Sequence, residues 1–346
     1  MDKNKLYDFI IVGQGIAGTL LAHFLLESGR SVCIIDNNHK GAASKVAAGI
    51  VNPITGKNFV RSWRVNEFLP VAKKVYGEIA QKLNITTYTE VNIIRTLENT
   101  EAENNWLART ADESVSEYML ANADVSSFEG KVASAFGYGE LTGTFQVHLS
   151  DILDAYKLEF IKNDQFLEDA FDHSGLIAMD DYFEYKHIQS KEIVFCEGYQ
   201  GQSNPFFTKM GFGPSKGEVL HVKIPNADFT KMYKDKIFIV HLYDDVYWVG
   251  SGYEWYAPDD LPSDAARTKL IAELDRLLLI PYEILDHKAA IRPTMHNRRP
   301  LLAVHVTIPG MYMFNGLGTK GSSIGPFVAK QFAEYLVTKD VQLLEL

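Results

Sequence analysis

The chain has 346 residues, 46% of them hydrophobic and 23% charged, with a formal net charge of −10. That supply of apolar side chains excludes a disordered chain, and the length predicts two domains or one fold with an elaborate insertion. The acidic balance argues against polyanion binding as a global property, leaving Lys57, Arg61 and Arg64 as a weak local basic candidate.

Residues 7–12 read as a buried parallel strand, 17–28 as a helix stopped by Gly29, and 31–36 as the next strand. Between the first strand and the helix lies Gly13-Gln14-Gly15-Ile16-Ala17-Gly18. The G-x-G-x-x-G spacing is weak evidence alone, but a strand before it and a helix after it form the context that a dinucleotide site needs. One glycine makes the tight turn, one lets pyrophosphate approach the backbone, and one lets helix and strand pack closely. The phosphates then meet the free N–H groups and positive dipole end of the helix. Asp36 ends the second strand, where a carboxylate accepts hydrogen bonds from ribose hydroxyls and repels a 2′-phosphate. FAD or NAD is therefore expected before NADP, with Asn37 beside Asp36 in the binding set. The stretch 9–26 is apolar enough to mimic a secretory leader, but its glycine spacing, strand start and lack of a small-residue cleavage site exclude that reading. No other stretch could span a bilayer, so a soluble cytoplasmic protein without a membrane partner is expected.

Cys33 and Cys196 are the two cysteines, each inside an apolar strand-like run. Two isolated thiols fit a reducing compartment, and no Cys/His cluster has metal-ligand spacing, so no metal site is expected. Residues 41–49 are nearly all small, which suits either tight helix packing or the close approach of a ligand; beside the fingerprint, the ligand is preferred. Residues 67–83 have helical periodicity, 86–97 alternate like a strand, and 98–130 are polar with helical patches, like an inserted region. Ser150 caps a helix to residue 161, and strands are expected at 165–171 and 192–196.

Residues 236–243 and 246–253 predict a hairpin turning at Asp244-Asp245. A two-residue loop would set His241 opposite Trp248 and Ile239 opposite Gly250. A helix is expected over 263–279, a strand over 311–315, a loop over 316–321 and a last helix over 322–337. The order predicts an α/β chain, α+β overall: a Rossmann-like nucleotide domain interrupted by an antiparallel-sheet substrate domain. The expected division is 1–84, 145–215 and 288–346 against 85–144 and 216–287.

The loop Gly316-Leu317-Gly318-Thr319-Lys320-Gly321 repeats the fingerprint spacing, but the chain that follows has no room for another strand bearing an acidic residue. It suits a cover for the reactive ring of the cofactor bound at the first loop. Its helix N-terminus and Lys320 would stabilise negative charge at the N1–C2=O edge of a reduced flavin. Arg292, in Ala290-Ile291-Arg292-Pro293-Thr294, would be presented rigidly from an extended segment. Such an arginine suits bidentate carboxylate binding, although an isolated arginine is more often part of an ion pair.

Together these residues resemble the D-amino-acid oxidase type of FAD-dependent oxidoreductases, especially glycine oxidase and sarcosine oxidase, over nearly the full length. The resemblance rests on the fingerprint, Asp36, Ala43-Ser44 with Ala47-Ala48-Gly49, residues 165–171, and Glu197-Gly198. Lys216-Gly217-Glu218-Val219, residues 249–254, Ile291-Arg292-Pro293-Thr294 and the loop 316–321 complete it. It implies that Ala43, Ser44, Ala47, Ala48 and Gly49 line pyrophosphate and flavin, that the Phe171 backbone meets adenine, and that Arg292 grips the substrate carboxylate. It also implies that a neutral amine passes its α-hydride to flavin N5, after which oxygen or another acceptor reoxidises the flavin. Ile50, His241 and Trp248 join Arg292 as candidate substrate-side residues, and His241 and Lys320 join it as candidate catalytic groups. A core or subunit contact is the competing reading of His241 and Trp248, and a homo-oligomer is an open partner. The chain departs from the family in having Asn297-Arg298-Arg299 where Asp-Gly is common. Val46, before Ala47-Ala48-Gly49, and the distant cysteines imply non-covalent FAD. Gly49-Ile50-Val51-Asn52-Pro53 also resembles the FAD domain of a bifunctional tRNA wobble-uridine modification enzyme, against which the acidic charge counts. A cofactor-binding protein without turnover is the remaining alternative.

Overall fold

Phe9–Val12 carries no polar side chain, so a strand made of it must be covered on both faces and paired on both edges. The computed structural model, which describes residues 5–257 and 259–345, does both. Leu6–Val12 pairs in parallel with Val32–Asp36 on one side and Ile188–Phe195 on the other. Phe166–Glu168 extends the sheet beyond Val32–Asp36, and Met311–Asn315 joins Ile188–Phe195 in parallel. Antiparallel strands complete the eight-stranded sheet.

The two-residue period divides the strands' side chains. Phe9, Ile11, Ile34, Val194 and Phe314 pack with the helices Ile16–Glu27, Val65–Leu83 and Gly321–Thr338. Ile10, Val12, Cys33, Ile35, Ile193 and Phe195 pack on the other face. Both cysteines are free and buried, and burial pushes the Cys33 thiol up to about 12, which makes it a packing residue rather than a nucleophile.

His23, on the buried face of Ile16–Glu27, shares a 2.7 Å hydrogen bond between Nδ1 and the Tyr156 hydroxyl. Burial, with Lys82 adding to it, pushes this imidazole down to about 4. The unfolded state therefore binds more protons than the folded state between the ordinary histidine value and about 4. The stability is full above the ordinary value, falls as pH drops through that window, and levels off below it. We expect a loss of about 3 kcal/mol across the window, at ~1.4 kcal/mol per pH unit. Urea unfolding at stepped pH checks this: His23→Gln should lack that segment of the profile.

The second sheet has nine strands. Ser215–Lys223 pairs antiparallel with Val246–Gly250, Glu254–Trp255 and Glu283–Arg292. Phe238–Tyr243, Met232–Lys234, Ile93–Leu97, Gly137–Leu141 and Met119–Leu120 follow in order beyond Val246–Gly250. One face, with Leu220, Tyr233, Ile239 and Val249, is closed by Leu270, Leu274 and Leu277 of the helix Asp264–Leu277. The opposite face, with Val219, Val240, Trp248 and Ala290, packs toward the nucleotide sheet's helices.

Two expectations are corrected, the strand over 86–97 and the register of the hairpin. Residues 86–97 are not one strand: Tyr88–Glu90 pairs with Phe145–Val147, whereas Ile93–Leu97 belongs to the nine-stranded sheet. The inserted region 98–130 includes the helix Thr100–Thr110, capped by the Asn99 side chain, and a strand that joins that sheet. In the hairpin, Tyr243 pairs with Val246 across the expected two-residue loop, but the register then shifts by one. His241 consequently faces Tyr247, Val240 faces Trp248, and Phe238 rather than Ile239 faces Gly250. The extra residue at Leu242 is a bulge, which reverses the faces of everything upstream of it. Among the described residues, no helix is long and apolar enough to cross a membrane.

Candidate active site

The carboxyl ends of the nucleotide-sheet strands open into a cleft of about 960 Å³ that reaches across to the nine-stranded sheet. Gly13 stands where Leu6–Val12 ends, at φ +102°, and a Cβ there would overlap the carbonyl of Cys196 on the adjacent strand. Gly18, one turn into the helix, would overlap the Gly13 carbonyl if it carried a Cβ. Gly13, Gly15, Ile16 and Ala17 line the cleft, whereas Gly18 lies behind them and serves helix–strand packing. Gly15 offers no side-chain cap to the helix; the Ile16 N–H donates to Ser44 Oγ at 3.0 Å.

Asp36 accepts the Gln14 N–H at 2.7 Å and the Asn38 N–H at 2.6 Å, one on each carboxylate oxygen. Its remaining lone pairs are available to hydroxyl donors in the cleft. Asn37 lines the cleft beside it. The Gln14 side chain is buried and donates to the Leu153 carbonyl, so it braces the loop.

The small-residue segment forms a short helix, Ala43–Val46, and then a turn at Gly49, φ +74°, where a Cβ would overlap the Val147 carbonyl. Ala43, Ser44, Ala47, Ala48, Gly49 and Ile50 all line the cleft. Trp248 donates its Nε1–H to the Val46 carbonyl at 2.8 Å, tying the nine-stranded sheet to this segment. It lines the cleft as well, so its indole is both brace and wall.

Phe171, Glu197 and Gly198 line the cleft beside Asp169 and His173. Phe171 stacks on Tyr185 with ring centroids 4.3 Å apart. The buried Glu197 carboxylate holds His173 Nε2 and Asn204 Nδ2, each at 2.7 Å, and this raises the His173 imidazole. From the C-terminal loop, Leu317, Gly318, Thr319, Lys320 and Gly321 line the cleft. Gly316 turns away at φ +74°, where a Cβ would crowd Met295 and the Leu301 nitrogen. Two helix N-termini, at Ile16 and Gly321, thus converge on one cavity. Burial, then the neighbouring Arg299 and Arg298, lower the Lys320 ammonium.

Arg292 ends its strand at the cleft wall. Its Nη2 donates to Ser251 Oγ at 2.6 Å, both Nη groups lie 3.3 Å from the Gly252 carbonyl, and Nη1 lies 3.4 Å from the Lys216 carbonyl. The guanidinium also lies 4.5 Å from the Tyr253 ring centroid. Gly217 makes room: any Cβ there would overlap the guanidinium. No ion pair holds Arg292 among the described residues, and burial lowers its basicity without approaching deprotonation. A guanidinium fixed by neutral acceptors, with no acidic partner among the described residues and facing a cavity, suits a carboxylate.

His241 is not in this cavity. The bulge at Leu242 turns it outward, where its Nε2 pairs with the Asp244 carbonyl at 2.7 Å and its ring meets Tyr247 edge-on. It does not line the cleft that Arg292 and the glycine loop share. The basic candidate patch also dissolves: Arg61 pairs with Glu117 and Arg64 with Glu67, while Lys57 lines the cleft. Sequence reasoning named Gly217, Ser251 and Tyr253 only within resembling segments and missed Arg95, Lys234 and Phe238; all six lie on the cleft wall. A cation inside an apolar strand, as at Arg95, was the available signal. No group of His, Cys, Asp and Glu suited to a metal ion lies among the described residues.

A family model described as FAD dependent oxidoreductase matches residues 8–335. An uncharacterized oxidoreductase of Bacillus subtilis, YurR, is 21% identical, the match covering 97% of this chain and 96% of that protein. The crystal structure of glycine oxidase from Bacillus cereus superposes with a TM-score of 0.80 at 18% identity, covering 97% of each chain. That of iminodiacetate oxidase from a Chelativorans species gives a TM-score of 0.76 at 19% identity, covering 96% of this chain and 95% of the other.

Proposed function

The chain belongs to the FAD dependent oxidoreductase family, and from that premise we propose that it oxidises the C–N bond of a small amino acid or secondary amine carrying a carboxylate. The observation that carries this reading is Arg292: a guanidinium without an acidic partner among the described residues, fixed in the same cavity as the dinucleotide loop. Glycine oxidase and iminodiacetate oxidase among the structural relatives point the same way. The nucleotide-holding part is taken as 1–84, 145–215 and 288–346 and the cap as 85–144 and 216–287, limits 1 and 346 lying outside the described residues. The strand Glu283–Arg292 straddles that division, carrying Arg292 from cap sheet to cofactor.

The residues present fit FAD. The Gly13–Gly18 loop leaves the backbone bare at a helix N-terminus, Asp36 keeps acceptor capacity free, and the 43–49 segment forms a wall without bulk. Bound there, FAD supplies a two-electron acceptor for the hydride of the carbon that bears nitrogen. The chain's own residues then position and tune. Arg292 attracts the carboxylate by its charge, its Nη groups held in place by Ser251, Gly252 and Lys216, which fixes the α-carbon. Trp248 and Val219 wall the chamber, and Lys320 with the Gly321 helix terminus favours negative charge at the cofactor's far edge.

The acids and imidazoles that line the cleft (Asp36, Asp169, Glu197, His39 and His173) all end or follow strands of the nucleotide sheet. Cations, Tyr253 and apolar groups surround the substrate half. That field disfavours an ammonium and selects the neutral amine, whose lone pair assists loss of hydride. Water then hydrolyses the released imine to a carbonyl compound and an amine, while dioxygen or another acceptor takes up the two electrons. Incubating FAD-loaded protein with glycine, sarcosine, proline and D-amino acids, and trapping carbonyl products with a hydrazine reagent, tests this. Carbonyl and amine should form in equal amounts; no carbonyl product from any member of such a panel would contradict it.

Asp36→Ala is expected to weaken FAD binding by roughly 10- to 100-fold, about 1.5–3 kcal/mol, since a charged acceptor and two loop hydrogen bonds are lost together. Fluorescence titration of apoprotein with FAD measures it. Asp36→Asn should fall between.

A further inference from the structure

Arg95 and Lys234 are register partners on adjacent parallel strands, and both line the cleft that holds Arg292. Neither makes an ion pair among the described residues, although the chain carries an excess of acids. The Arg95 guanidinium makes no hydrogen bond among them and lies 4.8 Å from the Phe59 ring centroid. Lys234 Nζ donates only to the Lys236 carbonyl, at 3.1 Å, and lies 4.7 Å over the Phe238 ring.

The nearby acids are committed elsewhere. Asp235 is held by Thr96 and Arg276, and Glu98 is exposed and stays beyond ion-pair distance. Burial, reinforced by Arg95, pushes the Lys234 ammonium down to about 8. Two adjacent, partly desolvated cations are costly to keep without a counterion. Apolar Ile93, Leu141 and Phe238 line the cavity around them.

The spacing to Arg292 suits a small diacid. The Arg292 guanidinium covers Gly217 on Ser215–Lys223, and Lys234 Nζ lies over Phe238, two strands away across the sheet. Phe238 is level with Val219 through Gly250, two residues along from Gly217, so at ~4.8 Å per strand and ~3.4 Å per residue the two positions are about 12 Å apart, enough for two carboxylates separated by a three-atom bridge, each in contact with its cation.

Resting on the Arg292 reading above, we propose that Arg95 and Lys234 form a second anion subsite, and that the substrate is an amino acid or secondary amine with two carboxylates. One carboxylate sits on Arg292 and the other on the Arg95–Lys234 pair. The amine between them is then held at both ends.

Calorimetric titration of the FAD-loaded protein with glutarate and with butyrate, neither of which can be oxidised at a C–N bond, separates the two subsites. Glutarate should bind at least about tenfold more tightly than butyrate. Arg95→Gln and Lys234→Met should each reduce that ratio severalfold, and the double variant should bring it to about one. Arg95→Lys and Lys234→Arg should retain it, which separates lost charge from lost packing. Equal binding of the two acids to the native protein, or a ratio that survives the double variant, would overturn the second subsite. If butyrate binding still depended on Arg292, the amine-oxidoreductase reading would stand without it. If neither acid bound, both readings would fall.

Discussion

Arg292→Met is expected to leave FAD in place and lower kcat/KM for a carboxylate-bearing amine by roughly 30- to 4000-fold, about 2–5 kcal/mol. Removing one partner of a desolvated, hydrogen-bonded charge pair strands the other, and the substrate carboxylate would then meet only the Ser251 hydroxyl, carbonyl oxygens and the Tyr253 ring. Arg292→Lys should recover part of the loss: it restores charge but not the planar fork, and its shorter reach leaves the space over Gly217 unfilled. Steady-state kinetics with one amine in two forms, with and without its carboxylate, checks the assignment. The variant's defect should vanish for the form that lacks the carboxylate. An equal defect for both forms would mean that Arg292 acts through the fold.

Gly13→Ala should yield colourless protein. The native φ of +102° strains any other residue, and the new methyl would overlap the Cys196 carbonyl. The backbone cannot yield easily, because the Gly13 N–H is bonded to the Ile35 carbonyl at 2.8 Å and the Cys196 N–H to the Val12 carbonyl at 2.7 Å. Strain and overpacking together cost about 2–5 kcal/mol, which separates two central strands at the point where the phosphates are expected. Gly15→Ala provides the contrast. Its methyl would meet only Ser44 Oγ, at 3.4 Å, an ordinary contact. That variant should keep its melting temperature and yet lose FAD affinity, because the methyl stands where the cofactor approaches. Thermal unfolding and the ratio of flavin to protein absorbance distinguish the two. A stable Gly13→Ala protein with full flavin content would remove the phosphate-loop assignment.

The nucleotide half was legible because its signals are local. Strand, glycine turn, helix and Asp36 lie within thirty consecutive residues, and each glycine has a steric reason that spacing alone exposes. The C-terminal loop was legible for the same reason, although Gly316 serves a turn against Met295 rather than the cavity. The substrate half was less so because it is assembled from distant strands. Arg95 meets Lys234 only through a parallel pairing of segments far apart in the chain, and no periodicity within either segment announces it. The register of His241 differs from the expected one for another reason. Loop length does set the first pair, Tyr243 with Val246, but a bulge one residue later reverses every face beyond it. The split of 86–97 at Val91-Asn92 is similar: the alternation continues while the partner sheet changes.

The lone arginine carries the same lesson. In sequence, Arg292 is one cation among thirty-four basic residues. In the fold it lines the cleft with no carboxylate partner among the described residues, over a glycine that clears space for it. Its chemical meaning comes from the cavity that it shares with the phosphate loop.

The most direct measurement is an anaerobic titration of the FAD-loaded protein with carboxylate-bearing amines, including dicarboxylic ones, followed by the flavin's visible absorption. The account predicts that at least one of them bleaches the flavin, and that Arg292→Met slows the bleaching without changing the spectrum of the oxidised protein. A flavin that dithionite reduces fully, but that no amine or amino acid reduces, would contradict it.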